Sequence, residues 1–332
     1  MRKFWLLLFF LILSLPSISN GVGEVVVYSA RQEHLIKPIL DEFTKETGIK
    51  IKLHTDKSGP LLARLIAEKP NNIADLLITT DAGNLWLADK NDLLMAVDST
   101  ILNNNIPTHL RSPRQTWFGL SVRVRTIFYN KDLVKAGELS TYQDLASSKW
   151  KGKLCLRTSK SIYNKSLVAM MIADYGYKNA KQVVTGWVNN LATKVFSSDT
   201  SLLKAIDAGQ CHVGLANSYY LGRLLAKQPN FKATIFWANQ QDNGAHVNIS
   251  GAGIIKNGKN AKEAKILLEF LSLPKAQKIF ADLDFEYPAN PKVKEASLIK
   301  NWGEFKANLI NVSKAGELQV SASILMDRVK YH

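Results

Sequence analysis

Cysteine is nearly absent: Cys155 and Cys211 are the only two in 332 residues. So few thiols exclude a disulfide-dense small scaffold and any thiolate metal cluster. The phosphate-cradling pattern GxxxxGK[ST], the dinucleotide pattern GxGxxG, the zinc pattern HExxH and the nucleophile elbow GxSxG are all missing. No feature favours an enzyme. There is no internal repeat and no dense basic run, although Lys and Arg outnumber Asp and Glu by 43 to 28. Scattered lysines on amphipathic segments read as a solvated basic surface, and nucleic acid is not expected as a partner. The one long apolar run, Phe4 to Leu15, is too short to span a bilayer comfortably. It follows Arg2 and Lys3 and precedes Pro16 and the small residues Ser17 to Ser19, the pattern of a cleavable secretory signal over residues 1–19. No cysteine follows the run for a lipid anchor, so an exported protein without a membrane anchor is expected.

What is present is an α/β grammar. Apolar residues make up 46% and charged residues 21%, ordinary for a globular protein, and the length suggests about two domains. "EVVVYSA" reads as a buried strand, "HLIKPILDEFTKETG" as an amphipathic helix stopped by Gly48, "IKIKLHT" and "ADLLITTD" as further strands with helices between them. The alternation resumes after a long strand at 116–134, with "YQDLASSKW" read as helix, "KLCLRTS" as strand, a helix from Tyr163, and a helix, Gly209 and strand through "HVGLAN". "AHVNISGAGIIKNG" reads as a strand pair, and two helices follow. The expected fold is α/β and two-lobed, with mixed or parallel sheets flanked by helices. Residues 22–118 with 247–290 would form the first lobe, 119–246 the second, and 291–332 would pack as helices on both. Crossing segments fall near 116–122 and 245–252, and the ligand cleft lies between the lobes.

Strand carboxyl ends are where such sheets bind ligands. Tyr163 follows the strand "KLCLRTS", and Tyr219 and Tyr220 end the strand "HVGLAN", so all three phenols belong at one edge of one sheet. Phenol ionises near pH 10 and stays protonated in water. A small, highly charged cation changes that, and phenolate is a hard oxygen donor suited to Fe(III). Arg223, one helical turn past Tyr220, could offset the charge of a filled site. A tyrosine pair at a strand end is also ordinary packing, so spacing alone leaves the choice open. The two cysteines precede these same segments, and in an exported chain a bridge between Cys155 and Cys211 would pin neighbouring strands together, whereas unpaired buried thiols remain the alternative.

"RTSKSIYNKSLVA" and "ANSYYLGRLL" resemble the two ligand segments of the bacterial periplasmic ferric-ion-binding proteins, the substrate-binding components of ABC-type Fe(III) importers with a transferrin-like lobe architecture. "VVYSARQEHLIKPILDEFTKETGIKI", "ADLLITTDAGNLW", "LRSPRQTWFGLSVRVRTIFYN", "LSTYQDLASSKWKGKL", "AHVNISGAG" and "FEYPANP" resemble that family too, from about Glu24 to the region of Pro291. The resemblance implies Tyr163, Tyr219 and Tyr220 as phenolate ligands, Arg223 as their charge partner and Asn217 as a polar neighbour. It implies a helper anion, carbonate or phosphate, on the turn Thr158, Ser159 to Ser161, with Arg31 as a second anion partner. It also implies a periplasmic monomer that hands its cargo to an inner-membrane permease and its ATPase. Family members carry His or Tyr after the first strand; this chain has Gln32 and Glu33, then His34. Glu33 or His34 could supply a first-lobe donor, and Asp81, after Thr80, is a further candidate. The alternative to iron is an anion or small organic solute such as phosphate, sulfate or a polyamine.

Overall fold

The computed structural model describes residues 23–332; the expected signal segment lies outside the described residues. The chain begins with β1 (Glu24–Ser29), α1 (Glu33–Thr47), β2 (Lys50–Thr55), α2 (Ser58–Ala67), β3 (Leu76–Thr79), α3 (Ala82–Lys90) and α4 (Thr100–Asn105). The long strand β4 (Phe118–Asn130) leads to β5 (Leu154–Cys155), α5 (Ile162–Asn189), α6 (Asp199–Asp207), β6 (Val213–Asn217), α7 (Ser218–Leu225) and β7 (Ala233–Phe236). β8 (His246–Ile254), α8 (Ala261–Ser272), α9 (Pro274–Asp284), β9 (Tyr287–Pro288), α10 (Ser297–Lys300), α11 (Lys314–Glu317) and α12 (Gln319–Arg328) complete it.

Two parallel βα units open the fold. β1 pairs in parallel with β2 (Val27 opposite Leu53) and with β3 (Val27 opposite Leu76). Gly48 ends α1 in the left-handed conformation, φ 75°, with its N–H on the Thr44 carbonyl, as a helix stop without a Cβ penalty should. β8 then joins antiparallel to β3, and β4 antiparallel to β8 (Val122 opposite Ile249). The far half of β4 pairs instead with β6 (Ile127 opposite Leu215) and β7. β5 runs parallel to β6. The sheet order is β2-β1-β3-β8-β4-β6-β5, with β7 and β9 also on β4.

β4 is therefore common to three packed cores. One gathers Val25 to Val124 with Trp237 to Val312; the others gather residues from Ile127 onward, with Ala322, Leu325 and Tyr331. Among the 13 residues of β4 only Tyr129 is partly exposed, as in a strand covered on both faces. The "SGAG" run lets β8 lie flush: a Cβ on Gly251 would meet the Phe118 carbonyl oxygen at 2.6 Å.

Two local expectations change. Residues 245–258 hold one continuous strand, β8, because its neighbours β3 and β4 lie on either side and no hairpin turn interrupts it. "YQDLASSKW" forms two single 3-10 turns, 144–146 and 148–150, too short to bury a full helical face. The helix from Tyr163 ends as expected at Gly176, whose φ of 79° breaks α5 internally. Cys155 and Cys211 are joined in a disulfide with Cα atoms 5.8 Å apart, tying β5 to the start of β6. Closing that 56-residue separation stabilises the fold by about 4 kcal/mol in the chain-entropy picture.

Candidate functional site

Each phenol projects from the first turn of a helix that directly follows a strand. Tyr163 is the second residue of α5, after β5; Tyr219 and Tyr220 are the second and third of α7, after β6. Because β5 and β6 are parallel neighbours, both helices begin at the same edge of the sheet. The Tyr219 hydroxyl reaches the Tyr163 hydroxyl at 3.4 Å, and the Tyr219 and Tyr220 rings lie with centroids 4.3 Å apart. The three meet in a cavity of about 170 Å³, whose wall also holds Gln32, Thr80, Arg31, Arg123, Arg223 and the carboxylates Asp284 and Glu286.

Guanidiniums surround the rings. Arg223 lies 4.9 Å from the Tyr219 centroid and 5.5 Å from that of Tyr220, while Arg123 and Arg157 each lie 5.5 Å from Tyr163. Arg223 Nε donates to Asp284 Oδ1 at 2.6 Å. Arg31 Nη1 donates to Glu286 at 2.8 Å and to Ser250 Oγ at 2.7 Å, and its Nη2 lies 3.4 Å from Asp284. Arg123 donates to Ser250 Oγ at 2.6 Å and to the Thr80 carbonyl. The Nε atoms of Arg31 and Arg123, buried, have no hydrogen-bond partner.

Burial, then the neighbouring phenols, raises the Tyr219 pKa well above the usual value, and burial likewise raises Tyr220. Both shifts favour the protonated phenol at these two positions. Burial and the adjacent Glu286 push Asp284 up to about 6. Burial would also raise Glu286, yet Arg31 and Arg123 outweigh it and hold that carboxyl at about 2. Three lining guanidiniums against two carboxylates leave the wall with about one positive charge at neutral pH.

The structure brings Tyr163, Tyr219, Tyr220, Arg223 and Arg31 together. Glu33 and His34 are exposed and outside the cavity wall, on the first turn of α1; the side chain that reaches the cavity is Gln32, which precedes the helix and makes no side-chain cap. Glu33 sits where a carboxylate favours a helix N-terminus. Thr158, Ser159 and Ser161 form the turn before α5 but do not line the cavity. Asn217 is buried behind the tyrosines and accepts from Arg125 Nη1 at 3.0 Å. Asp81 is buried, caps α3 through the Asn84 N–H and accepts from Asn248 at 2.7 Å. Arg123, Asp284 and Glu286 were not singled out from sequence. One signal was available for Arg123: "SVRVRTIF" puts two arginines inside a strand otherwise apolar enough to be buried, and a buried cation demands partners. Among the described residues, no group of three His, Cys, Asp or Glu side chains could hold a metal ion, so a metal here would rest on the phenols.

A mixed α/β chain whose polar cavity is lined by residues from both halves of the sequence has the architecture expected of a solute-binding protein. Residues 39–307 match the family described as bacterial extracellular solute-binding protein. Iron uptake protein A1 of Synechocystis sp. is 38% identical over 310 residues, which cover 92% of this chain and 86% of that protein. A Trichodesmium protein (IdiA, FutA), solved in complex with iron and citrate ligands, superimposes with a TM-score of 0.90 at 44% identity, covering 93% of this chain and all of the other. The apo ferric ion-binding protein A of Pasteurella haemolytica gives 0.86 at 38% identity, covering 93% and 98%. The chain belongs to the bacterial extracellular solute-binding protein family, with iron uptake and ferric-ion-binding proteins as its relatives there.

Proposed function

We propose that this protein captures Fe(III) through the phenolates of Tyr163, Tyr219 and Tyr220, with a helper anion, and delivers it in the periplasm to an ABC-type importer, acting as a carrier and not an enzyme. The observation that carries this is the convergence of three phenols on one cavity ringed by guanidiniums. Ionising an ordinary phenol at pH 7 costs about 4 kcal/mol, and burial raises that. A trivalent cation offsets it for all three at once, and three phenolates cancel its charge. The wall's remaining positive charge then suits a small anion, carbonate or phosphate, or a carboxylate of the chelate that brings the iron. Gln32 and Thr80 face the ion from the other wall, so the anion fills coordination positions that the first lobe leaves open.

We take 22–118 with 247–290 as the first lobe and 119–246 as the second, crossing on β4 and β8; residues 291–332 pack on both. Binding would draw the lobes together over the ion. Release would follow protonation of the phenolates, reduction of the iron or loss of the anion. The relatives' names and the iron in the Trichodesmium structure support the cargo, and membership of an extracellular solute-binding family supports an inner-membrane permease and its ATPase as partners. No described helix is long and apolar enough to cross a membrane.

Titration of the purified protein with ferric citrate, with and without carbonate, tests the reading. A phenolate-to-iron charge-transfer band saturating at one iron per chain is expected. A colourless product together with tight binding of phosphate, sulfate or a polyamine would replace iron with that solute.

A further inference from the structure

The closing segment of the described chain makes contacts that the cavity alone does not explain. α11 packs against both α3 and α5, and α12 against α5. The fit to α3 is close: a Cβ on Gly316 would meet Trp86 Cβ at 2.7 Å and its ring carbons at 2.8 Å. This segment thus joins the helix that follows Thr80 to the helix that carries Tyr163. After α12, Lys330 adopts a left-handed φ of 57° and turns the chain inward, and the Tyr331 N–H bonds to the Met326 carbonyl at 3.0 Å.

That turn buries Tyr331 to 2% exposure. Its hydroxyl donates to the Arg157 carbonyl at 2.6 Å and accepts from Asn164 Nδ2 at 2.9 Å. Asn164 Nδ2 also reaches the carbonyls of Arg157 (2.7 Å) and Thr158 (3.0 Å). Asn164 is the neighbour of Tyr163, and Arg157 and Thr158 begin the turn that starts α5. The Tyr331 hydroxyl and the Asn164 amide together close that turn with hydrogen bonds in a buried setting, where losing one leaves partners unsatisfied. A tyrosine that only filled space would not need its hydroxyl here.

We propose that Tyr331 is a positioning residue for the tyrosine cradle: its hydroxyl fixes the turn Arg157–Ser161 and thereby sets where Tyr163 stands relative to Tyr219. The consequence for iron rests on the function proposed above, whereas the claim about the turn does not.

Tyr331→Phe keeps the ring and removes the hydroxyl. Two measurements are made on it beside the wild type: amide hydrogen exchange in the iron-free chain, and the charge-transfer band with the rate of iron loss to excess citrate. Exchange through the turn and the first turn of α5 should rise about tenfold. The band should shift or weaken, and iron should leave about tenfold faster, with a thermal midpoint within a few degrees of wild type. Asn164→Ala, which breaks the same bond from the other side, should reproduce these changes and serves if Tyr331→Phe does not fold. Val320→Ala, on the exposed face of α12, should change neither readout. Unchanged exchange in the turn overturns the proposal. So does faster exchange with an unchanged band and unchanged iron loss. If the wild type forms no ferric complex, the reading of the cargo fails by itself, and the exchange data, with the dissociation of whichever solute the wild type does bind, decide the role of Tyr331.

Discussion

The two walls of the cavity do different work. The wall built on β5–α5 and β6–α7 offers three phenols, Tyr163, Tyr219 and Tyr220. The opposite wall offers Arg31, Arg123, Asp284 and Glu286, already joined to one another by short hydrogen bonds and ion pairs. On the function proposed above, one wall would change its charge with the cargo, whereas the other is an ion-paired network before any cargo arrives. The phenol wall would then supply the selectivity for a hard cation. The fixed wall keeps a nearly balanced field into which a filled, near-neutral metal site can settle without large rearrangement.

The strongest way to break this contrast is to remove donors. Tyr219→Phe with Tyr220→Phe leaves the ring packing but takes away two of the three hydroxyls. Even residues outside a metal's direct ligands cost 10–100-fold in affinity, so ferric affinity should fall by about 1000-fold or more. Competition against citrate, read on the visible band, measures it, and circular dichroism should show an unchanged fold. Near-wild-type affinity would remove the phenols from the site.

Striking the fixed wall should instead damage the fold. Arg123 is fully buried, with Glu286 and Asp81 among the groups that favour its charge. Arg123→Met leaves Glu286 with Arg31 as its remaining guanidinium partner and frees the Thr80 carbonyl, a loss of about 3–5 kcal/mol by the precedent of broken buried ion pairs. Urea unfolding of the iron-free chain reads it directly. Arg223→Met, at a side chain 36% exposed, should cost little stability and act on iron affinity; equal destabilisation by both variants would erase the distinction between buried and rim charge.

Much of the donor wall was legible in sequence, because strand ends followed by helix starts are local patterns and the carboxyl-end rule turns them into a shared location. Tyr163 and Tyr219, 56 residues apart in sequence, come within 3.4 Å on that logic alone. The fixed wall was less legible. Asp284 ends α9 and Glu286 lies just past it, far along the chain, and both reach Arg31 across more than 250 positions through a sheet order that no local pattern encodes. The first turn of α1 shows the limit most sharply. Gln32, Glu33 and His34 are consecutive, so which one meets the cavity depends on where the helix begins, and one residue of difference rotates a side chain by about 100°.

The strands that link the two walls carry their own sensitivity. His246 opens β8, is buried at 3% exposure, and its backbone N–H donates to the Tyr142 hydroxyl at 2.9 Å. Burial, reinforced by Arg125, pulls its pKa down to about 3. The unfolded chain takes up this proton near 6.5 and the folded chain only near 3, so stability is intact above pH 6.5 and falls as the pH drops between those values. At pH 4.5 the loss from this residue should be about 2–3 kcal/mol. His246→Gln should flatten that part of the profile, seen as a smaller difference between urea midpoints at pH 7 and pH 4.5; an unchanged difference would assign the acid sensitivity to other groups.

The smallest expected effect sharpens the contrast at the first turn of α1. If the first-lobe wall holds the cargo only through fixed charges, Gln32, Thr80 and the anion, then Glu33 contributes a helix-end charge and nothing to coordination. Glu33→Gln keeps the shape and removes the charge, so ferric affinity at saturating carbonate should change less than about twofold, as expected for an exposed position away from a built interaction. The visible band should keep its position, since the phenolate donors are untouched. His34→Gln should behave alike. A loss of tenfold or more in Glu33→Gln would mean that closure carries the start of α1 inward and brings a carboxylate to the ion, and the first wall would then be a donor wall as well.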